Sequence, residues 1–424
     1  MNKQKINDIF PILRKSPDFL SVFRPPEHPV SVSAYKTRRF IGRTGKKSPV
    51  FRFFRQERYG EGLFLQFSFG EYLSDIIITR EFPKIENYFA DFSGSLVVAD
   101  SNTLPIAKNI FKNIEPPFCV LDSGEENKNW RSTEKILRFA HDAKLGRDAV
   151  FFAAGGGVLG DLTGFAASVY KRGCRFVLVS TTLLGMVDAS VGGKTGFDLF
   201  ETKNLIGSFF PAEKVFIPLN ALASLPQIEW KSGTAELIKT SVLSSSDDDF
   251  FDLISDNIEN LKQYRENNID LLFKLIEKAV IFKGGIVSED PKEKGNRRVL
   301  LNLGHTFAHA LESVCGLGKI THGEAVAWGM VRACELGCAL GITPKERAEK
   351  ITAVIKGFDY NVECPHPFAP DARTLLNEMK NDKKNKSGRL TFIVPDAQSA
   401  RQVTVESGKD IELLIDILKG GNDS

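Results

Sequence analysis

Short apolar runs alternate with stretches of helical spacing through the first half of the chain. "GSLVVAD" (94–100), "FCVLDSG" (118–124), "DAVFFAAGGG" (148–157), "CRFVLVSTTLL" (174–184) and "KVFIPL" (214–219) have the composition of buried strands ending in turns. A helical stretch opens at Leu104, and "RSTEKILRFAHDAKLG" (131–146) spaces its apolar residues as a helix does before a stopping glycine. Strands alternating with helices predict a mostly parallel sheet with helices on both faces. After "SLPQIEW" (224–230) the texture changes. Residues 249–285, 302–315, 323–340 and 344–356 carry helical periodicity with few β-branched runs. The pattern predicts an α/β chain: a parallel-sheet domain over 61–225, then a mostly α-helical domain over 226–424. Residues 1–60 stand apart as an extension.

Composition adds limits. A chain of 424 residues exceeds one ordinary core, which fits two domains. No apolar run reaches membrane-spanning length and no secretory leader opens the chain, so neither membrane nor secretion is expected. The six cysteines are scattered without a CxxC pair, which suits reduced thiols in a cytoplasm. Charge is uneven: residues 1–60 carry +10 against a total of +3, leaving about −7 for the rest. A partly disordered, solvated basic arm is the expectation for that extension, and no nucleic-acid partner is expected.

Two glycine-rich segments carry candidate chemistry. "AAGGGVLGDLTGF" follows a strand and opens a helix, and Gly155, Gly157 and Gly160 match G-x-G-x-x-G, with Gly156 between them. Such a Rossmann-like turn exposes backbone N–H groups to a pyrophosphate; packing alone also explains it. The acid that should hold a ribose about twenty residues on is absent, and Arg175 stands there. Asp100 at a strand end and the turn "GEENK" (124–128) are the substitutes that topology offers. The second segment, "TTLLGMVDASVGGKTGFDLFETKNLIG" (181–207), places Asp188, Lys194, Lys203 and Asn204 on loops or helix starts. A segment so small and polar inside a globular domain borders a ligand or cavity.

The second half supplies more cations and the imidazoles. "GTAELIKT" sets Glu236 and Lys239 on one helix face, and Lys283, Arg297 and Arg298 precede "LLNLGH". Cations converging with Lys194 suit a substrate bearing more than one negative charge. Of six histidines, His305, His309 and His322 fall within eighteen residues. Spacing nominates His305 and His309 as zinc ligands, with His322 or Glu236 as third, and leaves open which imidazoles meet metal and which handle protons.

"GGGVLGDLTGF", "TTLLGMVDASVGGKTG", "KNLIG", "AELIK", "NLGHTFAHALE" and "HGEAVAWGM" together resemble the 3-dehydroquinate synthase family, in order and spacing from about residue 61 onward. The resemblance implies a homodimer with an N-terminal NAD-binding domain, a C-terminal helical domain and an active site between them. It implies zinc or cobalt held by Glu236, His305 and His322, with His309 facing substrate. It implies substrate contacts from Asp188, Lys194, Asn204, Lys239, Lys283, Arg298, Asn302 and Lys383, and Arg172 reaching a neighbouring subunit. For NAD it implies Asp100, Asn102, Glu125, Lys128, Asp161, Thr181, Thr182, Lys194 and Lys203, with the Gly155–Gly160 turn. The implied substrate is a sugar phosphate, 3-deoxy-D-arabino-heptulosonate 7-phosphate, and the implied product is 3-dehydroquinate. The main rival is another sugar-phosphate cyclase, such as one acting on sedoheptulose 7-phosphate; "VGGKT", Lys283 and Asn302 stand in the dehydroquinate form. Two departures stand out. Ser180 replaces the family's usual proline, and the glycines after Lys283 are expected to loosen that helix.

Overall fold

The computed structural model describes residues 55–419 except 60–61, 90–93, 201, 246–247, 317, 364–370, 382–388 and 407–409. In chain order the first half contains β1 (Arg55–Tyr59), β2 (Gly62–Phe69), β3 (Tyr72–Thr79), β4 (Ser95–Asp100), α1 (Leu104–Ile110), β5 (Phe118–Leu121), α2 (Trp130–Asp142), β6 (Val150–Gly155), α3 (Gly157–Val169), β7 (Arg175–Ser180), β8 (Lys194–Leu199), β9 (Thr202–Phe209) and β10 (Lys214–Pro218). The second half contains α4 (Gln227–Leu243), α5 (Phe250–Ser255), α6 (Ile258–Leu261), α7 (Ile269–Glu289), α8 (His305–Cys315), α9 (His322–Ala339), α10 (Lys345–Gly357), α11 (Ala372–Asn381), β11 (Arg389–Pro395), β12 (Ala400–Glu406) and α12 (Ile411–Lys419).

Eight strands form one sheet in the order β1-β2-β3-β10-β7-β6-β4-β5. From β3 through β10 to β5 every pairing is parallel, as the apolar runs predict. These strands read as continuous apolar runs because both faces are covered. Val98 and Phe151 face the core that holds α2 and α3, while Val97 and Phe152 face a second core with Ala107 and Ile110 of α1. Complete burial of each such side chain contributes roughly 1.5–3 kcal/mol.

Three features depart from the sequence reading. First, β1, β2 and β3 add an antiparallel edge. Strand β2 alternates strictly, turning Leu63, Leu65, Phe67 and Phe69 inward. Second, two small antiparallel hairpins, β8–β9 and β11–β12, occupy segments expected to be loops or helices. Third, the helical stretch 249–285 is divided into α5, α6 and most of α7, a division that the periodicity did not indicate. Helix α7 is unbroken through its two glycines. A Cβ on Gly284 would lie 2.4 Å from the Phe67 ring, so this glycine admits β2 against the helix and does not loosen it. Gly285 has no neighbour within 4 Å and no steric reason is visible for it.

Candidate active site

The imidazoles and Glu236 are set by three helices at close approach. The turn before α9 is a capping box: the Thr321 hydroxyl accepts from the Glu324 N–H and the Glu324 carboxylate accepts from the Thr321 N–H, which fixes His322 as the first helical residue. His305 opens α8 directly after Gly304, whose φ of +76° only glycine adopts readily. A Cβ on Gly329 of α9 would stand 2.2 Å from the Gly304 carbonyl, and one on Gly323 would stand 2.4 Å from Ser232 Cα of α4. Glycines therefore let α4, α8 and α9 meet backbone to backbone beside the three side chains.

The result is a convergence of acceptors. Glu236 is fully buried, and its Oε1 lies 3.6 Å from His305 Nε2 and 3.4 Å from His322 Nε2. Ligand atoms of the three residues all lie within 4.8 Å of one another. His305 Nδ1 faces the Leu303 carbonyl at 3.1 Å, and His322 Nδ1 faces Glu312 Oε1 at 3.4 Å. A carbonyl and a carboxylate accept only, so each Nδ1 carries a proton and the Nε2 atoms are left to face Glu236. Glu236 Oε1 has no hydrogen bond, and Oε2 meets only the Lys239 ammonium. Buried acceptors facing one another call for a cation or a proton. A divalent ion fits this donor set of two imidazoles and one carboxylate. His309 is exposed one turn along α8, its ring 5.4 Å from that of His305 and outside the convergent group.

Cations ring this group. Lys239 Nζ lies 2.5 Å from Glu236 Oε2 and 3.6 Å from Asp188 Oδ1, and Lys283 Nζ lies 2.7 Å from the same Asp188 oxygen. Asp188 sits on a π-helical turn, Gly185–Ala189, pressed against α4 where Gly233 leaves room for the Leu184 backbone. Burial opposes ionisation of Glu236, but the Lys239 ammonium and the imidazoles outweigh it and hold the carboxyl well below its usual range. Asp188 follows the same logic, with burial outweighed by Lys239 and Lys283. Burial and then Lys239 push His305 well down, whereas Glu236 and Glu312 raise His322 to about 10 against its burial, so at His322 Nε2 a proton competes with a divalent ion for the place facing Glu236. Arg298 donates to the carbonyls of Pro291 (2.6 Å) and Gly192 (2.9 Å), and Lys194 pairs with Glu293 at 2.5 Å. Asn302 ends the short helical turn just before α8.

The proposed cofactor residues cluster on the sheet side. Helix α3 starts from Gly156 without a side-chain cap. A Cβ on Gly155 would lie 2.2 Å from Leu159 Cδ1, and one on Gly156 2.8 Å from Thr182 Cγ2, so packing already demands these two glycines. Gly157 and Gly160 meet nothing closer than 3.3 Å and 3.5 Å. Beside the turn is a cavity lined by Gly156, Gly157, Gly160, Asp161, Ser180 and Lys194. The buried hydroxyls of Ser180 and Thr181 are unpartnered there, while Thr182 caps the Gly185 N–H at 3.0 Å. Lys128 is buried and joins Asp161 and Asn204, each at 2.7 Å, with Glu125 among the charges that keep it protonated against its burial. Asn204 takes a left-handed φ of 50°. Asp100 accepts from the N–H groups of Asn102 and Thr103 at the end of β4. Arg172 is exposed just after α3. Lys383 lies outside the described residues.

Two acids escaped the sequence reading. Glu293, at a left-handed φ of 52°, gave no spacing signal. Glu312 did: with His305 and His309 it completes an i, i+4, i+7 face of α8.

Residues 118–232 match the family model described as 3-dehydroquinate synthase N-terminal, and residues 233–385 match 3-dehydroquinate synthase C-terminal. A 3-dehydroquinate synthase of Prochlorococcus marinus (strain NATL1A) is 40% identical over 68% of this chain and 77% of its own length. The chain belongs to the 3-dehydroquinate synthase family. Solved structures extend the likeness of this family member at the level of fold. A 2-deoxy-scyllo-inosose synthase complexed with carbaglucose-6-phosphate, NAD+ and Co2+ superposes with a TM-score of 0.73 at 23% identity, covering 84% of this chain and 99% of its own. A 2-epi-5-epi-valiolone synthase from Streptomyces hygroscopicus subsp. jinggangensis, with NAD+ and Zn2+ bound, gives 0.72 at 23% identity with the same coverages.

Proposed function

We propose that this chain converts 3-deoxy-D-arabino-heptulosonate 7-phosphate to 3-dehydroquinate and phosphate, a carbon–oxygen lyase reaction of the shikimate pathway that runs by transient oxidation, phosphate elimination, re-reduction and intramolecular aldol closure. The observation that carries the reading is the meeting of Glu236, His305 and His322 beside Lys239, with Lys283 across Asp188, Arg298 within reach of the Asp188 and Glu293 charges, and Lys194 paired with Glu293. Zinc or cobalt held by those three residues would supply Lewis acidity at a sugar hydroxyl, and NAD at the glycine turn a reversible hydride acceptor.

The chain's own residues do the rest. The four cations bind a substrate with a carboxylate at one end and a phosphate at the other. Asp188 holds Lys239 and Lys283 in place; it helps to raise Lys239 against its burial, whereas burial outweighs it at Lys283 and lowers that ammonium's pKa. His309, exposed beside His305, is placed to pass protons to and from substrate oxygens, and Asn204 and Asn302 offer neutral donors. Lys383, outside the described residues, is proposed to contact the substrate. Lys128, Asp161, Glu125, Asp100, Asn102, Thr181, Thr182 and Lys203 would hold the dinucleotide around the Gly155–Gly160 turn. Fixing one flexible molecule through successive steps is chiefly positioning, which contributes about 7–11 kcal/mol in well-oriented cases.

A homodimer is part of the proposal. Val169 and Phe209 are partly exposed beside the Ser168–Ser208 hydrogen bond, close in sequence to the exposed Arg172. Trp130 and the 81%-exposed Phe200 lie toward the other end of the β8–β9 hairpin. A second copy covering this surface would bring Arg172 to its neighbour's site. Among the described residues no helix is long and apolar enough to cross a membrane, and five cysteines are free thiols; a reducing cytoplasm is the setting we propose. Residues 1–54 lie outside the described structure.

The test is phosphate release from the heptulosonate phosphate with catalytic amounts of NAD, before and after chelation. Release that needs both NAD and a divalent ion, without net NADH, supports the reading. Turnover of sedoheptulose 7-phosphate in its place would move the chain to the rival cyclase activity.

A further inference from the structure

Glu312 does not belong to the convergent group, yet it touches both halves of the site. Its Oε1 lies 3.4 Å from His322 Nδ1 and accepts from Lys203 Nζ at 3.0 Å. The carboxylate is nearly buried, with 6% of its side chain exposed, whereas Lys203 is 34% exposed on β9. Both contacts use one oxygen. Helix α8 holds that oxygen: Glu312 sits one face-turn after His305 and His309 on a helix packed against α9, which carries His322.

We propose that Glu312 is a positioning residue that locks the His322 imidazole for metal and couples the metal centre to the cofactor hairpin through Lys203. The inference rests on the metal and NAD reading given above. Its first half follows from donor chemistry. A carboxylate accepting at Nδ1 fixes the tautomer, leaves the Nε2 lone pair facing Glu236 Oε1 at 3.4 Å, and makes the ring a better donor. Its second half follows from sharing. A lysine has three donor hydrogens, so Lys203 can hold Glu312 and a cofactor oxygen together. Ordering β9 by a bound dinucleotide then fixes the acceptor that orients His322. Linkage makes the effect mutual: whatever factor the dinucleotide adds to metal affinity, the metal adds to dinucleotide affinity.

The substitutions Glu312→Ala and Glu312→Gln separate the two halves. Glutamine keeps a carbonyl for Nδ1 but loses the charge that holds Lys203. Zinc affinity is measured on the full chain by chelator competition, with and without saturating NAD, alongside the thermal midpoint. For the unchanged protein NAD should tighten zinc about fivefold or more. Glu312→Ala should weaken zinc about 10–100-fold, and Glu312→Gln by clearly less. Both should abolish the NAD effect on zinc. Lys203→Met, a change on a partly exposed strand residue, should abolish it too when NAD is raised to a concentration that saturates this variant by direct titration, and it preserves the test if Glu312→Ala does not fold. Zinc binding by Glu312→Ala equal to that of the unchanged protein would overturn the positioning role. NAD coupling that survives Glu312→Gln or Lys203→Met would overturn the bridge. Failure of the unchanged protein to bind zinc at all would instead refute the metal reading itself.

Discussion

The glycine turn at Gly155–Gly160 and the ionised cluster around Glu236 belong to one proposed site but are held in opposite ways. The turn is kept by shape: Leu159 and Thr182 occupy the space that side chains at Gly155 and Gly156 would need. Its geometry agrees with the fold, and the same contacts that pack α3 on the sheet open the helix start. The cluster is kept by charge. Glu236 and Lys239 are buried to 0% and 2% exposure, and neither would be there for stability alone, since a buried ion pair is often no better than an apolar one. A binding turn can thus arise from packing, whereas a buried constellation of charge marks the place where stability yields to chemistry.

Breaking the cluster should have the largest effect. Glu236→Gln should remove zinc and phosphate release together, and leave the Lys239 ammonium with only the more distant Asp188, destabilising the metal-free protein by roughly 3–5 kcal/mol. The double change Glu236→Leu with Lys239→Met should restore the urea midpoint to within about 1 kcal/mol or exceed it, while activity stays absent. If the double change is as unstable as the single one, the cluster is structural and the contrast fails. Next comes the turn: Gly155→Ala should cost about 1–3 kcal/mol by overpacking against Leu159, and should cost less in a Leu159→Ala background, although that truncation destabilises the core by itself. Denaturant titration reads both, and NAD affinity should fall in parallel with stability.

Two smaller effects sharpen the contrast between buried and exposed ionisation. Burial pushes the thiols of Cys119 and Cys174 up to about 11 and about 12. Only the thiolate reacts, so alkylation of Cys119 and Cys174 at pH 8, read residue by residue by mass spectrometry, should be slow in the folded protein and rise steeply in denaturant; fast modification of either in the native chain would contradict the core packing. Asp249, exposed on the far side of the helical half, is held down to about 2 chiefly by Lys278 and Lys274. A carboxylate depressed in the folded state stabilises above its unfolded value, near 4, and loses that contribution as pH falls toward 2. Because the group is solvent-screened, Asp249→Asn should cost under about 1 kcal/mol at pH 7 and clearly less at pH 2, measured by unfolding at both.

Much of this was legible in the chain because burial on two sides leaves a continuous apolar run, as in "VVAD" and "FFAAG". The β8–β9 hairpin was not: its apolar residues sit singly among small and polar ones, and β9 alternates only between exposed and half-buried positions. Strand β11 carries an apolar run, "LTFIV", but lies among helices, where its period does not separate it from them. Spacing along α8 left open which imidazoles meet a metal, because His322 and Glu236 come from other helices and only tertiary contact brings them to His305. The same spacing contained Glu312 and its meaning was missed, since an acid one turn beyond two histidines reads first as a solvated face.

Strand β3 pairs in parallel with β10, so Asp75 waits for Lys214. On a ribosome the first hairpin therefore emerges long before its neighbour does. Until residue 218 has left the exit tunnel, one border of β3 exposes bare amides and carbonyls flanked by Ile76, Ile77 and Ile78. A nascent chain stalled at about residue 200 would offer that border to any other strand in reach, and chaperone capture or self-association of such fragments is the consequence of placing the last parallel strand in the middle of the sheet.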